Sequence, residues 1–360
     1  MFLALRDLRV ARGRFALVAL VIGLVAMLST LLSGLATGLV DDGISGLRGL
    51  PMTHVAFQDG AQSTFSRSTL TDANVAHFTA AGIDASPFGV SFFNAKTPEG
   101  TTIDLAMFGI APGSFLAPRQ DAQRSLAGSP GVVLSEEFRA KGVEVGDQLT
   151  IVGPDTVLPV LGFTYAGSYG HVDIAFVQLA TWQSLVYGDN PKGRFSAIAI
   201  RSDDDASLAA VDRVAGTDTE TKEAAYQGSP GFAAETGTMD LIRGFLLVIS
   251  ALIVGAFFTV WTIQRTRQIG LLKALGASNR YVLRDALGQL GIVLVAATTL
   301  GAAIALGLGS LIGSGVPFSL QLQPILVSTT ALVVLGMAGA LVAVRRITSV
   351  DAIVALGADA

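Results

Sequence analysis

The residues with the most chemical potential in this 360-residue chain lie in the segment SPGFAAETGTMDLIRGFLLVIS, residues 229–250. If a helix starts near Ala233, then Glu235, Met239 and Arg243 follow one another four apart. Each such step drifts only about 40° around a helix axis, so the three share one stripe. The uncharged run that follows places the stripe at the level of a membrane's outer leaflet. Charge is costly there unless it meets protein, water or a partner, which makes Glu235, Asp240 and Arg243 candidate functional residues. A plainer arrangement uses the same side chains: Arg243 pairs with Asp240 three positions back, and Glu235 sits in headgroup water.

Composition supports a membrane setting. The chain is 51% hydrophobic and 14% charged, against about 25% charged in soluble proteins, with a mean hydropathy of +0.58. Residues 15–40 carry no charge, nor do 244–264 or 286–344. A span needs about 20 apolar residues. The last run is therefore too long for one crossing, and GSGVPFSLQLQP at 313–324 divides it with Gly and Pro. The expected layout is a cytoplasmic amphipathic N-terminus (1–14), a first span (15–40), an extracellular domain (41–238) and a second span (239–264). A cytoplasmic segment (265–285), a third span (286–312), a loop (313–322), a fourth span (323–344) and a cytoplasmic C-terminus (345–360) complete it. Arg6, Arg9, Arg12 and Arg14, then Arg265 to Arg284, then Arg345 and Arg346, all fall on one face, which the positive-inside rule assigns to the cytoplasm. The expected fold class is an α-helical plasma-membrane protein with four spans (one, then three) and a mixed α/β extracellular domain inserted between the first and second.

Residues 40–238 hold 12 Lys and Arg against 23 Asp and Glu, a net of −11, while the rest of the chain nets +7. In the inserted domain MTHVAF (52–57), TIDLAMFGI (102–110), QLTIVG (148–153), VDIAFV (172–177) and FSAIAI (195–200) read as strands. TLTDANVAHFTAAG (69–82) and SEEFRAKG (135–142) read as short helices, each with a Thr or Ser cap and a closing Gly.

Several chemistries are excluded. With 0 Cys there are no disulfides, thiolate metal sites or Cys nucleophiles. No G-x-x-x-x-G-K-[ST] loop, G-x-S-x-G elbow or H-E-x-x-H motif occurs, so the chain offers no ATP site of that kind and no hydrolytic machinery. A net charge of −4 argues against a nucleic-acid partner. The expected class is a transport subunit and no enzyme.

After the second span comes TRQIGLLKALGAS, residues 266–278. It resembles the cytoplasmic signature of the MacB/FtsX-like ABC permeases, R-E-I-G-x-L-K-A-L-G-A-S. The span layout and GVVLSEEFRAKGVEVGDQLTIVG (131–153) are similar to that family as well. The resemblance implies a homodimer bound to two copies of a separate ABC ATPase that carries ATP and Mg, with Arg267, Gln268, Leu272, Lys273 and Gly276 in the ATPase-coupling segment. Gln268 stands where the family commonly has Glu; an exposed ion pair there contributes only about 0–1 kcal/mol, so coupling is expected to survive.

The 229–250 junction and GFTYAGSYGHVDIAFVQLATWQSL (162–185) are further similar to HrtB-type haem-exporter permeases. That resemblance implies haem as transported substrate, entering laterally from the membrane lipid at a dimer interface, with no permanently bound cofactor. Glu235 would ligate the haem iron, Arg243 would pair with a propionate, and Phe232 and Met239 would pack on the porphyrin. Tyr169 and His171 are further ligand candidates. The alternatives are a MacB/FtsX-type transporter of lipoprotein or antimicrobial peptide, which the acidic domain would suit, and a mechanotransmitter that activates a cell-wall hydrolase.

Overall fold

A computed structural model describes residues 12–117, 126–264, 270–271, 275–313 and 316–348. The chain forms two compact units, one of residues 1–39 with 236–360 and one of residues 40–235.

The first unit is helical. Among the described residues four helices are long and apolar enough to cross a membrane. They belong to α1 (Arg12–Arg48) and to three later helices, α6 (Phe232–Gln264), α7 (Asn279–Gly309) and α8 (Leu322–Thr348). Their shared core contains Val18, Ile22, Val254, Leu290, Leu294 and Ala340. Lipid tails are as apolar as Leu, so such helices gain little from burial alone and associate through close backbone approach at small residues. A Cβ on Gly301 of α7 would stand 2.2 Å from the carbonyl oxygen of Gly23 in α1, and one on Gly339 of α8 would stand 2.8 Å from that of Ala251 in α6. Between α7 and α8, Phe318 occupies the space left by Gly34 and Gly309, and Ser319 N donates to Gly34 O at 3.0 Å. Ser278 caps α7 by accepting from Tyr281 N, where the preceding segment ends in Gly276 at φ +94°.

The second unit, the inserted domain, is built among the described residues on a ten-stranded mixed sheet. Its elements are β1 (His54–Gln58), α2 (Asp72–Ala80), β3 (Asp84–Lys96), β4 (Thr102–Ile110), β5 (Val132–Ser135), β6 (Gln148–Ile151), β7 (Thr156–Thr164), β8 (Ser168–Tyr169), β9 (Val172–Gln178), α3 (Leu179–Tyr187), β11 (Ala197–Arg201), α4 (Asp205–Ala215), β12 (Thr217–Thr221) and the four-residue α5 (Lys222–Ala225). The short β2 (Leu70–Thr71) and β10 (Arg194–Phe195) pair separately. The order β12-β1-β11-β3-β4-β9-β5-β7-β6 closes on itself where β6 pairs again with the far end of β3. Alternation along β4 divides two cores, since side chains switch face at each residue. Ala106, Phe108 and Ile110 face one with Ile44, Leu47, Phe57, Phe88 and Phe176; Leu105 and Met107 face the other with Phe78, Phe138, Leu149 and Trp182. SEEFRAKG forms a 3₁₀ turn over Glu136–Lys141, closed by Gly142 at φ +81°.

Candidate functional site

The sequence SYGHV folds as a tight hairpin: Tyr169 pairs with Val172, and Gly170 and His171 between them both have positive φ, +57° and +64°. A two-residue hairpin loop with both residues left-handed matches strand twist, but the conformation is uncommon for a non-glycine residue. His171 is held there by its surroundings. Gly170 N donates to Gly43 O at 2.9 Å, Ser168 N to Ser45 Oγ at 2.9 Å, and Ser168 Oγ to Asp42 Oδ1 at 3.0 Å.

The imidazole bridges two carboxylates. Nδ1 lies 2.9 Å from Asp42 Oδ2, and Nε2 lies 3.0 Å from each oxygen of Glu235. Burial works against a charged ring here, but its hydrogen bond to Asp42 and the negative charge of Glu235 outweigh it and raise the His171 pKa. The protonated ring donates from both nitrogens, one to each acid. Glu235 sits in the first turn of α6, where the helix dipole also favours a carboxylate. Gly231, at φ +82°, leaves room for it: a Cβ there would meet Glu235 Oε1 at 2.6 Å. Pairs this exposed contribute about 0–1 kcal/mol each, so the cluster orients Glu235 more than it stabilises the domain.

A second acidic pair lies along the same hairpin. Asp173, register partner of Ser168, is bonded by Lys141 Nζ at 2.6 Å. Partial burial, with the hydrogen bond and charge of Asp173, pushes Glu137 up to about 7.

The other expected site residues fall differently. Tyr169 is a core residue: it is 2% exposed, its ring is packed by Phe65, Phe92 and Phe108, and burial raises its phenol above the ordinary tyrosine range. An iron ligand would have to be the accessible tyrosinate, and this environment disfavours that form. Phe232, expected against a porphyrin, instead packs on Tyr226 in the core of the inserted domain. Met239 is half-buried on α6. Arg243 donates to Asp240 Oδ1 and to Ser33 O, both at long 3.4 Å contacts, and its Nε is shielded from solvent without a partner among the described residues. Of the expected coupling residues, Arg267, Gln268, Leu272 and Lys273 lie outside the described residues, and Gly276 ends its turn in the left-handed conformation. Sequence reading missed Asp42; its one signal is the Asp41-Asp42 doublet that ends the first uncharged run. Nothing in sequence spacing pointed to Phe92, which packs against Gly170.

Four apolar helices among the described residues, with a mixed α/β domain inserted after the first, define a multi-pass ABC-transporter permease. Residues 15–216 match the MacB-like periplasmic core domain and residues 241–352 the FtsX-like permease C-terminal domain, and the chain belongs to this MacB/FtsX-like permease family. It is 24% identical to a Staphylococcus haemolyticus protein provisionally described as a hemin transport system permease protein HrtB, over 99% of both chains. A Staphylococcus epidermidis protein with the same description is 22% identical, again over 99% of both. The solved periplasmic region of MacB from Actinobacillus actinomycetemcomitans is 14% identical, with a TM-score of 0.35, over 51% of this chain and 95% of that one.

Proposed function

We propose that this chain is the membrane subunit of a pump that exports haem. Two copies would associate with two ABC ATPase subunits, with both termini cytoplasmic and the inserted domain outside. Haem would partition into the lipid, enter laterally at the start of α6, and be driven outward as ATP closes the dimer. The coupling segment containing Arg267, Gln268, Leu272, Lys273 and Gly276 would receive that motion.

One observation carries the reading: Glu235, a carboxylate in the first turn of a membrane-span helix, is held by His171 two turns ahead of the uncharged run 244–264. It would ligate ferric iron through oxygen, a weaker bond than the His or thiolate ligation of resident haem. Weak ligation suits cargo that must be released. Met239 and Arg243 follow at four-residue spacing on the same helix, one apolar and one able to pair with a propionate. His171 would hold the Glu235 carboxylate in place, and the burial of Tyr169 and Phe232 favours Glu235 over them as the ligand. The full-length similarity to chains described as hemin permeases supports the same substrate.

Purified full-length protein titrated with haemin tests this. The expected result is a saturable Soret shift that Glu235→Ala removes; absence of saturable binding in the unaltered chain rejects it.

A further inference from the structure

The inserted domain carries an aromatic lip beside this cluster that the mechanism above does not use. Along β3 the side chains of Phe88 and Val90 are buried in one core, and Phe92 is next on the same face, yet it is 46% exposed. The core ends before it is covered. One face of its ring lies on Tyr169, with centroids 5.9 Å apart and planes 12° from parallel. Its edge meets the hairpin turn: a Cβ on Gly170 would stand 3.1 Å from Phe92 Cζ and 3.2 Å from the ring carbons of Pro230. Gly170 precedes His171, and Pro230 precedes Gly231, the residue whose missing side chain makes room for Glu235. An exposed aromatic ring, backed by Tyr169, thus lies against the hairpin turn that carries the imidazole of the imidazole–carboxylate pair.

We infer that Phe92 is a contact residue for a flat, apolar, ring-bearing ligand whose polar centre engages Glu235. This rests on the haem reading and extends it to the inserted domain. Ligand sites combine aromatic lining with a few convergent polar groups, the combination found here. Tyr169 holds the Phe92 ring from behind, so little order is lost when a second flat ring stacks on it. The contact is indifferent to the metal, whereas Glu235 is not, and this separates their roles.

The test compares haemin with metal-free protoporphyrin IX, both titrated against the full-length protein. An aromatic stacking contact contributes about 0.5–1.5 kcal/mol. Phe92→Ala is therefore expected to weaken both porphyrins by about fivefold, Phe92→Trp to retain binding of both, and Glu235→Gln to weaken haemin alone. Unchanged melting temperatures show that the variants fold. If the unaltered chain binds neither porphyrin, the haem reading fails and takes this inference with it. If it binds haemin saturably while Phe92→Ala binds both porphyrins as tightly as the unaltered chain, only the inference is overturned. A loss confined to haemin, or a changed dimer fraction at unchanged porphyrin affinity, overturns it as well.

Discussion

The Nε2 atom of His171 is equidistant, at 3.0 Å, from the two carboxylate oxygens of Glu235. These residues are 64 apart in sequence and are joined at the tip of a two-residue hairpin. With Asp42 on the far side, the ring when protonated is a cationic bridge between two acids, and its contribution to stability depends on that proton.

The folded pKa of His171 is raised, so its stabilising contribution is complete below the ordinary histidine value of about 6.5 and fades as pH rises through the raised value. Asn tolerates the left-handed backbone but cannot reach both acids. His171→Asn should therefore destabilise the protein by up to about 1 kcal/mol at pH 6 and by less at pH 9. Thermal melts at the two pH values check this, and an equal loss at both sinks it.

Glu137 has the opposite charge logic. Its folded value, about 7, lies above the ordinary 4.5, so the folded state prefers the proton. The stability linked to it is complete below about 4.5 and is lost as pH rises toward 7. Glu137→Gln keeps a donor for Asp173 without a charge. It should melt like the unaltered protein near pH 4.5 and above it at pH 8. A variant that is less stable at pH 8 contradicts the proton-sharing arrangement with Asp173.

Gly301 packs against backbone and has no flexible side chain to displace, since a Cβ would lie 2.2 Å from Gly23 O. Gly301→Ala should therefore push α1 from α7 and cost about 1–3 kcal/mol. Gly307→Ala on the same helix meets nothing within 4 Å and should be neutral or slightly stabilising. Melting of the two variants in one detergent distinguishes them; equal stability refutes the close-packed contact.

Trp182 fills the space above Gly89 and Gly109, where a Cβ would come within 2.4 Å and 2.5 Å of it, and its Nε1 is buried with no partner among the described residues. Trp182→Phe forfeits volume but no hydrogen bond, so it should cost clearly less than Trp182→Ala, for which about 3–5 kcal/mol is expected. Denaturant unfolding of both variants measures the gap. A Phe variant as damaged as the Ala variant would show that the indole N–H has a partner.

Membrane architecture was legible in the sequence because lipid imposes a length and a lack of charge that few other contexts require. The strand TIDLAMFGI was readable end to end for a related reason, since a short run rich in apolar, β-branched and aromatic residues is itself a local signal. The core packing of Tyr169 and Phe232 was not legible, because short aromatic-rich segments look alike whether they line a core or a pocket. Tyr169 is packed by Phe65, Phe92 and Phe108, which come from distant strands and turns, and Phe232 by Tyr226 six residues before it.

Sequence alone therefore determined that the chain has four helices long and apolar enough to cross a membrane, that a mixed domain is inserted between the first two, and that Glu235 lies near the start of the second. Those properties depend on composition and on periodicity within one segment. Only the tertiary structure decided that Glu235 faces His171, that Asp42 holds the far side of that ring, and that Phe92 stands uncovered beside them. Each of these depends on a hairpin tip, a helix end and a strand meeting across more than 60 residues of chain, and no local pattern encodes that approach.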